Sequence, residues 1–96
     1  MIENLKEVFD KFEDDYIRFE RVENKLSLRP DIHAFILLNQ LVPAGRDIVC
    51  AAEHDEIFLE VSVEDLAKVA TEEQILELVR CGVMYDEDTD SLSMFV

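Results

Sequence analysis

Apolar positions in the first third of the chain recur at helical spacing. Ile2, Leu5, Phe9, Phe12, Tyr16, Phe19 and Leu26 mostly fall three or four residues apart, which lines them along one face of a helix. The spacing predicts one long amphipathic helix over residues 2 to about 26, or two in succession, with Glu23 alone interrupting the series. The stripe carries three phenylalanines and a tyrosine, a payload that belongs to the core or continues into a homodimer seam. Tyr16 to Val22 also alternates roughly in twos, so a strand competes with the helix there.

Ser27-Leu28-Arg29-Pro30-Asp31 is a boundary, because proline disfavours helix at the residue before it and suits a first helical turn. A second helix is predicted from about Pro30 to Leu41, with Ile32, Phe35, Ile36, Leu38 and Leu41 mostly inward. It has no Asp, Glu, Lys or Arg between Asp31 and Arg46, which marks it as the most buried element. Pro43-Ala44-Gly45 ends it. Two short apolar runs, Ile48 to Ala52 and Ile57 to Val61, flank the polar turn Glu53-His54-Asp55-Glu56 and read as a β-hairpin. Ser62, with Asp65 three residues on, has the pattern of a helix cap for Val63 to about Ala70. Thr71 with Gln74 repeats it for a fourth helix that stops at Gly82. Val83 to Tyr85, an acidic turn over Asp86 to Ser91, and Leu92 to Val96 form a second hairpin.

The expected fold is therefore α+β, a single acidic domain over residues 1–96. It has two N-terminal helices, a β-hairpin, two short helices and a C-terminal β-hairpin, with the strands joined into a small antiparallel sheet covered by helices.

Charge narrows the function classes. The chain has 9 Lys and Arg against 23 Asp and Glu, a net charge of −14. Residues 1–30 hold six basic and eight acidic side chains, whereas residues 31–96 hold three and fifteen. A field of that sign repels nucleic acid and anionic membrane and draws in basic partners. The order of elements from Ser62 onward resembles a winged helix-turn-helix, in which the second helix enters the major groove. Here that helix would offer Glu72, Glu73 and Glu77 against Arg80, and the wing tip would be Asp86-Glu87-Asp88-Thr89-Asp90. Neutralising phosphates takes lysine and arginine, so such a surface serves protein contact or packing. No direct nucleic-acid binding is expected.

Candidate chemistry changes little. The acidic turn places carboxylates at alternate positions, as a calcium loop does. Its sixth position, however, is Ser91 instead of glycine, and its twelfth falls beyond Val96. Cys50 and His54 are the one thiol–imidazole pair near in sequence, but in a strand they stand roughly 13 Å apart, too far for a nucleophile and its base. His33, early in an apolar helix, reads as a hydrogen-bonded core histidine. No zinc spacing is present, and two glycines are too few for a phosphate loop. No catalytic residue, metal ligand or cofactor is expected. Arg18, Arg21, Lys25 and Arg29 form one basic strip, either a small anionic-partner patch or, as favoured, an internal pairing surface. No segment resembles an export signal or a membrane span, and Cys50 and Cys81 sit in apolar runs, so a cytoplasmic location is expected.

The functional expectation is a non-enzymatic acidic interaction protein that binds a positively charged protein surface, as an inhibitor, an immunity-type partner or a DNA mimic. The alternative is a homodimeric structural or regulatory module built on the aromatic N-terminal helix, with the charge incidental. The partner-binding candidates are Glu72, Glu73 and Glu77 on the fourth helix and Asp86, Glu87, Asp88 and Asp90 on the last turn, on one shared face if the hairpin folds back.

Overall fold

Helix α1 is short because its C-terminal end runs into acid. In the computed structural model, which describes residues 2–43 and 45–95, α1 spans Leu5–Lys11, with the Asn4 side chain accepting the Glu7 N–H at its start. The long helix expected over residues 2–26 stops there. Glu13, Asp14 and Asp15 would stand at the negative end of a longer helix dipole, and aspartate is a poor helix former. The chain turns instead through two single-turn 3-10 helices, Glu13–Asp15 and Phe19–Arg21. Ile17 and Asn24 sit in the left-handed region, at φ 61° and 50°. For a β-branched residue such as Ile17 that conformation costs about 1–2 kcal/mol. Its N–H donates to the Val79 carbonyl at 3.1 Å. No strand forms between Tyr16 and Val22. The aromatic stripe still meets the core, by an irregular path: Phe9 is buried, and Phe12, Tyr16 and Phe19 pack half-buried against it.

Helix α2 spans Pro30–Leu41 with proline in its first turn, where the missing N–H costs nothing. Its phase differs from the expected one. His33, Ala34, Leu37 and Leu38 are buried, while Ile32 is exposed. A helix apolar on nearly every side does not reveal its inner face by periodicity. Helix α3, Val63–Val69, begins at Ser62, whose side chain accepts the Asp65 N–H. Helix α4, Glu72–Arg80, begins at a complete capping box: Thr71 accepts the Gln74 N–H and Gln74 accepts the Thr71 N–H. Gly82 follows it at φ 96°.

That glycine has a second constraint. A Cβ added to Gly82 would lie 3.3 Å from the Ile17 Cγ1. Gly82→Ala is therefore expected to destabilise by about 1–2 kcal/mol through its backbone alone. The crowding at Ile17 adds to that cost. Denaturant melts of the two proteins would measure it, and equal midpoints would rule it out.

Strands β1 (Val49–Glu53), β2 (Glu56–Leu59), β3 (Met84–Asp86) and β4 (Ser91–Phe95) form one antiparallel sheet in the order β1-β2-β4-β3. The two predicted hairpins are joined by β2 and β4, so the strand that would have been a wing lies inside a sheet. Register sets Ile57 opposite Met94 and Leu59 opposite Leu92. These four share one face and join Leu5, Phe9, Leu38, Leu66, Ile75 and Leu78 of the helices in the core. β1 is an edge strand, exposed throughout, with a bulge between Val49 and Ala51. Met1, Ala44 and Val96 lie outside the described residues. The turn at Pro43-Ala44-Gly45 is thus described only at its two flanks, and the last strand to Phe95. Among the described residues, no helix is long and apolar enough to cross a membrane.

Candidate functional site

Acidic residues begin α4 for a local reason, since carboxylates in a first turn face the positive end of the helix dipole. Glu72 and Glu73 are both exposed there. Glu72 is paired with Lys11 of α1 at 2.5 Å, and Glu73 borders a shallow hollow with Arg21, Glu23 and Arg80.

Glu77 does not belong to the solvent face assigned to it. It is half-buried, and its Oε2 lies 2.9 Å from Nε2 of His33, which is fully buried. The other ring nitrogen, Nδ1, accepts the Leu26 N–H at 3.0 Å. A nitrogen that accepts from a backbone N–H carries no proton, so Nε2 bears the hydrogen and donates it to Glu77. The Phe19 ring meets the imidazole edge-on at 5.8 Å. Both ring nitrogens are engaged, so the imidazole has no free lone pair to offer a substrate.

The last turn is ordered by its own acids. The Asp86 Oδ1 accepts the Asp88 N–H at 3.0 Å, and Asp90, at φ 52°, accepts the Tyr85 hydroxyl. That hydrogen bond, with burial adding to it, pushes the Tyr85 phenol up to about 12. Glu87 lies 3.6 Å from Lys6, which is also bound to Asp10 at 2.6 Å. The Asp10 hydrogen bond, against some desolvation, raises the Lys6 ammonium above its ordinary value.

The seven candidates therefore do not merge into one cluster. α1 packs against both α4 and β3, and its Lys11 and Lys6 answer one carboxylate on each side. A groove of about 660 Å³ between α1 and the start of α4 gathers Glu3 and Glu7 beside Glu72, over Ile2 and Val8. Glu3 and Glu7 carry no sequence signal for this groove, because it exists only where the chain at α1 meets the start of α4.

The basic strip is not a helical row. Arg21 pairs with Asp15 at 3.1 Å, Arg29 with Asp31 at 3.7 Å and Arg18 with Glu20 at 3.9 Å. Lys25 donates to the Val22 carbonyl and lies over the Phe19 ring. The pairing is internal but mostly to near neighbours. Asp15 also receives Arg80, from α4, at 3.1 Å. Arg80 above all, and Arg21 with it, hold the Asp15 carboxyl below its ordinary value. In total, seven of the nine Lys and Arg side chains are in ion pairs. Eight of the 23 acidic ones are paired, counting Glu77 at His33, and the other 15 have no such partner among the described residues.

Neither thiol is activated. Cys50 is exposed on β1 and its pKa is raised, chiefly by desolvation and then by Glu60. Burial, with Glu77 adding to it, pushes Cys81 up to about 12. His54 sits exposed in the β1–β2 turn. Among the described residues, no three His, Cys, Asp or Glu side chains are gathered as a metal site. In comparisons with family models, curated proteins and solved structures, nothing matches this chain.

Proposed function

We propose that this protein acts without catalysis by docking onto a positively charged protein surface, as an inhibitor, an immunity-type partner or a mimic of DNA charge. One observation carries the reading: internal pairing engages most of the cations and leaves 15 carboxylates without an ion pair among the described residues. Exposed pairs are worth only about 0–1 kcal/mol each, so the exposed carboxylates among the paired ones can exchange partners at low cost. The resulting field raises the rate of encounter with lysine- and arginine-rich surfaces and disfavours nucleic acid. The burial of Phe9 within the protomer and the packing of Phe12 against the same core favour this reading over a homodimer built on the aromatic stripe. Two free thiols, one of them exposed, suit a reducing cytoplasm.

The test starts by cross-linking the protein in cells of its natural source and identifying what it holds. Association with the purified partner is then measured across salt. The rate is expected to fall steeply as ionic strength rises from about 0.05 to 0.5 M. Replacing Asp86, Asp88 and Asp90 together with asparagine, which keeps the acceptor oxygens of the turn, is expected to slow association and flatten the salt dependence. A rate indifferent to salt would refute the reading.

A further inference from the structure

An antiparallel sheet with helices over one face ordinarily turns polar side chains outward on the other. This sheet does so only at its margins, where Glu53, Glu56, Ser91 and Asp86 lie, and not in the row between them. Its register aligns Ala51, Phe58, Ser93 and Met84 side by side across all four strands, on the face opposite Leu59 and Leu92. Phe95 stands two residues beyond Ser93 on the same side and is 59% exposed. Ala51 is exposed, Phe58 and Met84 are half-buried, and neither they nor Phe95 belong to the hydrophobic core cluster, although Met84 also borders a hollow with Phe9 and Tyr16.

Acid surrounds this apolar row. Glu53 and Glu56 face each other directly across the β1–β2 ladder, a like-charge arrangement that weakens a hairpin. Asp86 follows Met84 by two residues and points outward as well, and Glu60 lies one residue beyond the end of β2. Of these four, Glu60 alone is in an ion pair among the described residues, with exposed Arg46 at 3.3 Å. A second feature lies at the centre. Ser93 is 1% exposed and its Oγ has no hydrogen-bond partner among the described residues. A buried hydroxyl left unpaired is costly, and native structures rarely keep one without a reason.

We infer that this outer face of the sheet is where the basic partner proposed above seats itself. An apolar patch on the partner covers Phe58, Met84 and Phe95, and surrounding lysines or arginines meet Glu53, Glu56, Glu60 and Asp86. The charge decides the occupant. A second copy of this chain docked face to face would set the same acidic rim against itself, which costs rather than gains. A partner with a cationic rim relieves the Glu53–Glu56 repulsion.

The inference rests on the proposed function, and one experiment separates the two. The probe is a short amphipathic peptide of lysine and leucine, titrated into the full chain while backbone amide NMR shifts are followed. A glutamate–leucine peptide of the same pattern is the control. The expected result is saturable shifts at Ala51, Phe58, Met84 and Ser93, at least tenfold weaker binding of the control, and a similar loss in Phe95→Lys. Phe95 is exposed enough for that change to spare the fold, and Phe58→Ser is a second variant of the same face. Shifts confined to the Glu3–Glu7–Glu72 groove or to the Asp86–Asp90 turn would overturn this face while leaving the acidic-docking reading standing. No binding at any face would count against both. Concentration-dependent shifts at this face without peptide would assign it to a second copy instead, as would equal binding of the two peptides assign it to unselective apolar contact.

Discussion

Phe9→Ala is expected to destabilise the fold by about 3–5 kcal/mol, the range for emptying a buried aromatic site. Phe9 is 6% exposed, and its ring lies 6.0 Å from that of Tyr85, tilted by 53°. It sits on α1 where that helix meets both α4 and the β3 strand, so the cavity would open between a helix layer and the sheet. A seven-residue helix such as α1 is marginal by itself and depends on this packing to persist. Phe12→Ala, at a half-buried position, is expected to cost clearly less. Equilibrium unfolding in denaturant measures both. A Phe9 variant with an unmoved midpoint would mean that α1 is not docked as described.

The second large effect concerns His33 and Glu77. Glu77→Leu would leave the buried Nε2–H without an acceptor, and an orphaned buried donor costs about 1–3 kcal/mol. Glu77→Gln keeps an amide oxygen within reach and is expected to cost much less, although it removes the same negative charge. The difference between the two variants separates hydrogen bonding from charge. Imidazole nitrogen NMR shifts supply an independent check, since the geometry requires the Nε2–H tautomer of His33. Equal destabilisation by Gln and Leu, or a ring protonated at Nδ1 alone, would contradict the assignment.

What was legible in the sequence was local. Pro30 starts α2, Thr71 and Gln74 cap α4, and Gly82 ends it, because each signal acts within one turn of chain. The α+β order of helices and hairpins followed from the same signals. The N-terminal third was misread because its three-and-four spacing continues beyond the point where the helix can. Asp15 is held by Arg80, 65 residues away, and Ile17 is tied to Val79, contacts that no window of periodicity contains. Glu77 looked like one more surface carboxylate for the same reason, since its partner His33 is 44 residues distant. The apolar outer face of the sheet was hidden by a further step. Phe58, Ser93 and Met84 become neighbours only once β2, β4 and β3 are paired in register.

The exposed edge strand gives the acidity a second meaning. Val49-Cys50-Ala51-Ala52-Glu53 presents unpaired backbone groups along the rim of the sheet, with neither a lysine nor a proline in the strand and a single bulge to blunt it. Edges of that kind template chain-to-chain pairing and aggregation unless something keeps copies apart. In this chain the guard is not in the strand at all but in the net charge of −14, which makes two copies repel before their edges can meet. Colloidal stability and the proposed partner docking thus draw on the same carboxylates. A variant stripped of acid far enough to abolish docking would also lose its protection against self-pairing, so charge must be removed a few residues at a time.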